Sequence, residues 1–198
     1  MIAYKGFNQD MTCTLGCGRF QYRTGVTVDE SETGAKCASR GLHCAEDPLD
    51  VLRYYGNPEK DRYFIVKAEG DIHEDARDSR IACTKLTPVK ELSIQKLALH
   101  ACHFMISRPE REPNSRVWQD KGTADKYFAI VRGKNPIARG DKGATLFLLQ
   151  EAKDSKEIIE FAAYEVDGVE IKEDTYYDID GREVKERDKG RVKKAASA

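Results

Sequence analysis

Residues 41–55 read GLHCAEDPLDVLRYY. Residues 41–44 have the look of a strand that runs into a helix start. Asp47 suits the N-cap, because its carboxylate accepts the free N–H groups of a first turn. Pro48 suits the first helical position, where its missing N–H costs nothing. Leu49, Leu52 and Tyr55 then fall at helical spacing with Val51 beside them. Gly56-Asn57-Pro58 stops the run. A short amphipathic helix over residues 48–55, entered directly from a strand, points to an α+β fold.

The flanking sequence extends that pattern. IAYKGF (2–7) reads as a first strand, and FQYRTGVTV (20–28) as a strand, a bend at Gly25 and a second strand. RYFIVKAEG (62–70) is a strong strand and IACTKLTPVKEL (81–92) a weaker one, with Pro88 predicting a bend or an edge. Ser93 caps a longer helix over 94–106, in which Ile94, Leu97, Ala98, Ala101, Cys102 and Met105 share one face. Residues 107–125 carry two prolines, high charge and no periodicity, and read as a linker or exposed excursion. Strand candidates follow in KYFAIVRG, ATLFLLQEA, EIIEFAAYEV and TYYDI, with tight hairpin turns expected at Asp167-Gly168 and Asp180-Gly181. The expected fold is α+β: an N-terminal domain over 1–106 with a small, mainly antiparallel sheet and two helices, the linker, then a C-terminal β-meander over 126–187. Residues 188–198 read as a basic, frayed tail.

Composition limits the function classes. With 33 basic and 34 acidic side chains the net charge is -1, which argues against a whole-protein footprint for nucleic acid and leaves a local patch open. No apolar run reaches membrane-span length, and MIAYKGFNQDMT lacks the layout of a secretory signal. The cytosol is the expected compartment, so the 6 cysteines are expected as reduced thiols.

Four segments, YKGFNQDMTC, GRFQYRTG, AKCASRGLHCAEDPLDVLRYY and DSRIACTKLTPVKELS, resemble the N-terminal domain of an uncharacterised phage and prophage family of the DUF7666 type. TLFLLQEA and VDGVEIKEDTYYDIDGREVKE resemble the closing unit of its longer members. Those members carry a repeat array between the two ends. Here the array is absent, residues 107–125 stand in its place, and TLGC is inserted after Cys13. The resemblance implies a phage setting and a two-part architecture, and no reaction.

The candidate chemistry gathers at the N-terminus. Cys13, Cys17, Cys37, His43 and Cys44 are residue types that hold structural zinc, and Cys13, Cys37, His43 and Cys44 form the candidate metal set. The spacings C-x3-C, C-x19-C and C-x6-C contain no C-x2-C knuckle, so core thiols and a hydrogen-bonded histidine are the competing reading. A nucleophilic Cys44 or Cys13 needs a base, and strand alternation turns His43 away from Cys44. Tyr4-Lys5-Gly6 with the 41–55 stretch resembles the start of some ADP-ribosyltransferase-like folds, without a matched catalytic glutamate. His100 and His103 share a helix face, yet two ligands are too few for a metal site. Phosphate-loop, dinucleotide, nucleophile-elbow and zincin motifs are absent from the sequence.

The function expected from these features is macromolecular binding, with a host or phage protein as partner and inhibition of a host nuclease system as one concrete form. No cofactor is expected apart from the zinc alternative. The alternatives are a nucleotide-handling enzyme and a zinc-stabilised binding module.

Overall fold

The computed structural model describes residues 1–13, 19–32, 34–35, 40–74, 79–124 and 126–185. The expected basic tail, 188–198, lies outside them, as do Cys17 and Cys37.

The N-terminal sheet closes on itself. Strand β1 (Ile2–Asn8) is followed by the small antiparallel pair β2 (Thr12–Cys13) and β3 (Phe20–Gln21), then by β4 (Val28–Asp29) and β5 (Leu42–Ala45). A long hairpin follows, β6 (Asp61–Glu74) and β7 (Arg80–Leu92). β1 pairs with β6 on one side and β5 on the other; β6 pairs with β7, and β7 pairs back to β5, so four antiparallel strands form a closed ring with β4 added to β7. Closure removes exposed strand edges. Two irregularities bend the hairpin enough to allow it. Val89 is skipped between the pairs Ile65–Lys90 and Val66–Pro88, which realises the bend expected at Pro88. Gly70 and Asp71 stand opposite Thr84 alone, with Gly70 at φ 79°. An L side chain rarely adopts that φ, and a Cβ on Gly70 would lie 2.1 Å from Thr84 Oγ1. The ring encloses Ala3, Phe7, Leu42, Cys44, Phe64, Val66, Ile81, Cys83 and Leu86, with Met11 and Tyr22 over one end.

The outer face of the ring carries the two helices. Residues Pro48–Arg53 form a 3₁₀ helix, two residues shorter than the amphipathic helix expected over 48–55. Asp47 caps it as expected, its carboxylate accepting from Leu49 N at 2.9 Å. Helix α1 (Ile94–Ser107) starts at Ser93, whose Oγ accepts from Lys96 N at 3.2 Å. Its apolar face packs on Leu49, Val51, Leu52, Tyr55, Tyr63 and Leu92. The same cluster contains Ile130, Phe147 and Leu149, so α1 is shared between the N-terminal ring and the C-terminal sheet.

The C-terminal sheet is mixed, which corrects the expected meander. Within the segment read as a linker, Val117–Thr123 is strand β8. It runs parallel to β9 (Phe128–Arg139), and β9 runs parallel to β10 (Thr145–Glu151). Val117, Ile130 and Phe147 stand side by side, as do Trp118, Val131 and Leu148. Successive parallel strands joined by such short connections make a coil rather than a meander. Alternate positions along each strand then separate: Ile130 and Phe147 face α1, while Val131 and Leu148 join Ala138, Leu146, Val166 and Tyr177 on the other side. Strand β11 (Ile158–Glu165) adds antiparallel to β10, and the pair β12 (Tyr176–Tyr177) and β13 (Glu183–Val184) adds to β9. Asp180-Gly181 is the hairpin turn between β12 and β13, with Gly181 at φ 74°. Asp167-Gly168 lies in a loop instead. There the Asp167 carboxylate accepts from the amides of Val169, Glu170 and Ile171.

Candidate ligand site

Strand β5 delivers His43 and Cys44 to opposite faces, as period-two alternation requires. Cys44 turns inward, into the ring. Its thiol hydrogen-bonds Cys83, and that bond together with burial raises its pKa. A nucleophilic thiol needs the opposite shift. His43 shares the outer face with Ala45, which packs under the 3₁₀ helix. Cys13 stands on β2, where its sulfur accepts from Tyr55 Oη at 3.1 Å. Cys13, His43 and Cys44 all border one pocket, and Cys37 lies outside the described residues. Among the described residues no group of three His, Cys, Asp or Glu side chains could hold a metal ion. The helical pair separates: His100 Nδ1 hydrogen-bonds Tyr4 Oη at 3.0 Å, and His103 is exposed.

The pocket at His43 measures about 220 Å³ and has an aromatic and apolar wall formed by Tyr4, Gly6, Val51, Tyr54 and Tyr55. The Tyr55 side chain packs against Gly6, where an added Cβ would come within 2.4 Å of ring carbons. Tyr54 is 40% exposed, with the Arg80 guanidinium 5.8 Å from its ring centroid. Lys5, almost fully buried, donates from Nζ to the His43 carbonyl at 2.5 Å. Its ammonium also sits 5.6 and 5.4 Å from the Phe7 and Tyr22 ring centroids. The aromatic quadrupoles offset part of the cost of burying that charge.

The pKa of the His43 imidazole is lowered from its ordinary value. Burial is the main cause of its lowered pKa, with the Lys5 and Arg80 cations adding to it and a backbone hydrogen bond with Gly41 opposing it. Nε2 is shielded from solvent and has no hydrogen-bond partner among the described residues.

A second cleft of about 670 Å³ adjoins the pocket, and Asp50 and Arg80 border both. Four guanidinium groups line it, from Arg53 at the end of the 3₁₀ helix, Arg80 at the start of β7, and Arg111 and Arg116 in the segment between α1 and β8. Arg111 is placed by the Phe104 ring, 5.3 Å away, and by Glu46 at 3.6 Å. Arg116 donates from Nη2 to the Leu52 carbonyl at 3.1 Å. Five donors per guanidinium leave each of these two with capacity to spare. Five carboxylates line it too, from Glu46, Asp47, Asp50, Glu74 and Glu112, and all but Glu74 are engaged within the wall. Glu46 pairs with Arg108 as well as Arg111. Asp50 accepts from Ser79 Oγ at 2.6 Å, Ser79 N at 3.1 Å and Asn114 Nδ2 at 2.8 Å. Burial pushes the Asp47 carboxyl up to about 6, against its bond from Leu49. Glu112 pairs with Lys156.

Cys13, His43 and Cys44 of this site stood out in the sequence, as did Tyr4-Lys5-Gly6. The arginines did not, because they come from a helix end, a strand start and an irregular segment. The run RPEREPNSR (108–116) held the signal, but charge in a proline-containing segment usually marks a solvated loop.

Residues 1–100 match the family model of the DUF7666 domain, a domain of unknown function. No curated protein and no solved structure matches the chain.

Proposed function

We propose that this chain, which belongs to the DUF7666 family through residues 1–100, is a binding protein whose N-terminal cleft takes a small phosphorylated ligand. The observation that carries this reading is the convergence of Arg53, Arg80, Arg111 and Arg116 on one cleft of about 670 Å³. Planar guanidinium forks match phosphate oxygens in geometry and charge, and ligand sites commonly have this volume. The segment that supplies Arg111 and Arg116 is tied to the 3₁₀ helix through Asn114–Asp50 and Arg116–Leu52. The wall of the cleft is therefore preorganised, which reduces the ordering cost of binding. The cytosol suits this reading, since the four described cysteines are free thiols.

Thermal denaturation in inorganic pyrophosphate is the test. A ligand that binds only the native state raises its stability. A rise in melting temperature that grows with pyrophosphate, and is absent with sodium chloride of equal ionic strength, is expected. Equal curves in the two salts would remove the reading.

A macromolecular partner is a second reading. The host or phage protein of the counter-defence form draws on the sequence resemblance, and strand β11 offers it a surface. β11 is an edge strand with Ile159 59% and Phe161 37% exposed. Lysines at both positions are expected to abolish capture of such a partner while leaving the pyrophosphate response intact. Undiminished capture by that double variant would take β11 out of the reading.

A further inference from the structure

We infer that the pocket between the end of the 3₁₀ helix, the start of α1 and strand β8 is a second ligand site, and that it takes a small carboxylic acid with an aromatic or apolar body. The carboxylate lies on Arg116, and the body on Trp118, Tyr127 and Phe128. This site does not rest on the phosphate reading of the arginine cleft, although Arg116 borders both cavities.

Three observations carry it. The first is an accessible apolar wall. The pocket measures about 440 Å³, an ordinary size for a small-ligand site, and Trp118, Tyr127, Phe128, Pro58, Ile94 and Val117 border it. Trp118 is 50% exposed, and Val117, Tyr127 and Phe128 are only partly buried where they pack on the α1 cluster. A ligand that covers these side chains gains from the apolar area it removes from water. The second is that the wall is built. Gly122 lies against the Trp118 side chain, and an added Cβ would stand 2.7 Å from Trp118 Cγ and 2.8 Å from its Cβ. The bare glycine backbone therefore seats the tryptophan on its own strand. The third is charge. Among the described residues that border the pocket, Arg116 is the one charged side chain, and it is exposed. Its guanidinium lies at the pocket wall. Nη2 donates to the Leu52 carbonyl at 3.1 Å and sits 3.8 Å from the place of a Cβ on Gly56, and Leu52 and Gly56 both border the pocket. Arg116 has no carboxylate partner among the described residues. A guanidinium carries five donors, so the Leu52 bond leaves a fork free for one carboxylate. A single cation set in an aromatic wall complements a monoanion with an apolar body.

The single tryptophan borders the site, so its emission reads the test. The full chain is titrated with phenylpropionate, with phenylpropionamide, which keeps the ring and loses the charge, and with propionate, which keeps the charge and loses the ring. Phenylpropionate is expected to change the Trp118 emission saturably and to bind about tenfold or more tighter than either of the others. Arg116→Gln, at an exposed position, is expected to bring the acid down to the affinity of the amide. Trp118→Ala, followed by calorimetry, is expected to weaken acid and amide alike, by about fivefold or more. Arg53→Gln/Arg80→Gln is expected to leave phenylpropionate binding unchanged, which separates this pocket from the arginine cleft. Acid and amide binding alike, full acid affinity in Arg116→Gln, loss of acid binding in the Arg53→Gln/Arg80→Gln variant, or no saturable response would each overturn the site. The cleft is decided separately, by pyrophosphate.

Discussion

Asp47 caps the 3₁₀ helix from a buried position, and burial and capping act on its carboxyl in opposite senses. Burial wins, lifting the pKa to about 6 from 3.8. The folded chain then binds the proton more tightly than the unfolded chain. The resulting contribution is complete below the unfolded value and is lost as pH rises through the folded one, an upper bound of about 3 kcal/mol. Asp47→Asn keeps a capping oxygen and cannot ionise. Urea titrations are expected to show wild-type stability falling, relative to the asparagine variant, between about pH 4 and 6.5. Asp47→Ala is expected to lose about 1 kcal/mol with the cap. Parallel pH profiles for wild type and Asp47→Asn would show that burial does not govern this carboxyl. Gly6 is the second residue under local constraint. A methyl at Gly6 must displace the Tyr55 ring that floors the pocket, so Gly6→Ala is expected to cost about 2 kcal/mol in urea. An unchanged midpoint would mean the ring yields freely. At this scale the sequence was uneven. Asp47 and Ser93 were legible because capping is local chemistry. The orphaned Nε2 of His43 was not, because its burial comes from packing between segments distant in sequence.

Helix α1 was readable because its burial obeys one period. Leu97, Ala98, Ala101 and Cys102 are all essentially inaccessible to solvent. Leu97→Ala is expected to cost about 3 kcal/mol, since the cavity opens between two sheets that cannot both collapse onto it. Chemical denaturation checks this, and a loss below about 1 kcal/mol would mean the interface repacks. The parallel strands β8, β9 and β10 were harder. Alternation of Ile130 with Val131, or Phe147 with Leu148, is the same in a coil as in a meander. Only the pairing partners differ, and pairing is long-range. β8 was hidden further by its exposure: as an edge strand it buries little beyond Gly122, so its sequence carries the polarity of a linker. The 3₁₀ helix sits between these cases. Its cap and apolar spacing were legible, while its tighter winding over Pro48–Arg53 is not set by either.

At the level of the whole molecule, α1 joins the closed ring and the C-terminal coil into one core. Ile130, Phe147 and Leu149 share a cluster with Leu49, Leu52, Tyr63 and Leu97. The two parts are therefore expected to unfold together. Trp118, the single tryptophan, reports on the C-terminal sheet, whereas far-UV circular dichroism reports on the whole chain. Coincident transitions are expected, and a fluorescence change well separated from the dichroism change would mean that the parts are energetically independent. The same union builds the cleft, because Arg111 and Arg116 lie on the segment that leads from α1 into β8. The central claim is that these arginines, with Arg53 and Arg80, hold phosphate. Calorimetric titration with pyrophosphate at two salt concentrations, on wild type and on the Arg53→Gln/Arg80→Gln double variant, tests it most directly. Saturable binding to the wild type, weakened by salt and about tenfold or more weaker in the double variant, is the predicted result. Binding of equal strength in both proteins, or none to the wild type, would contradict it.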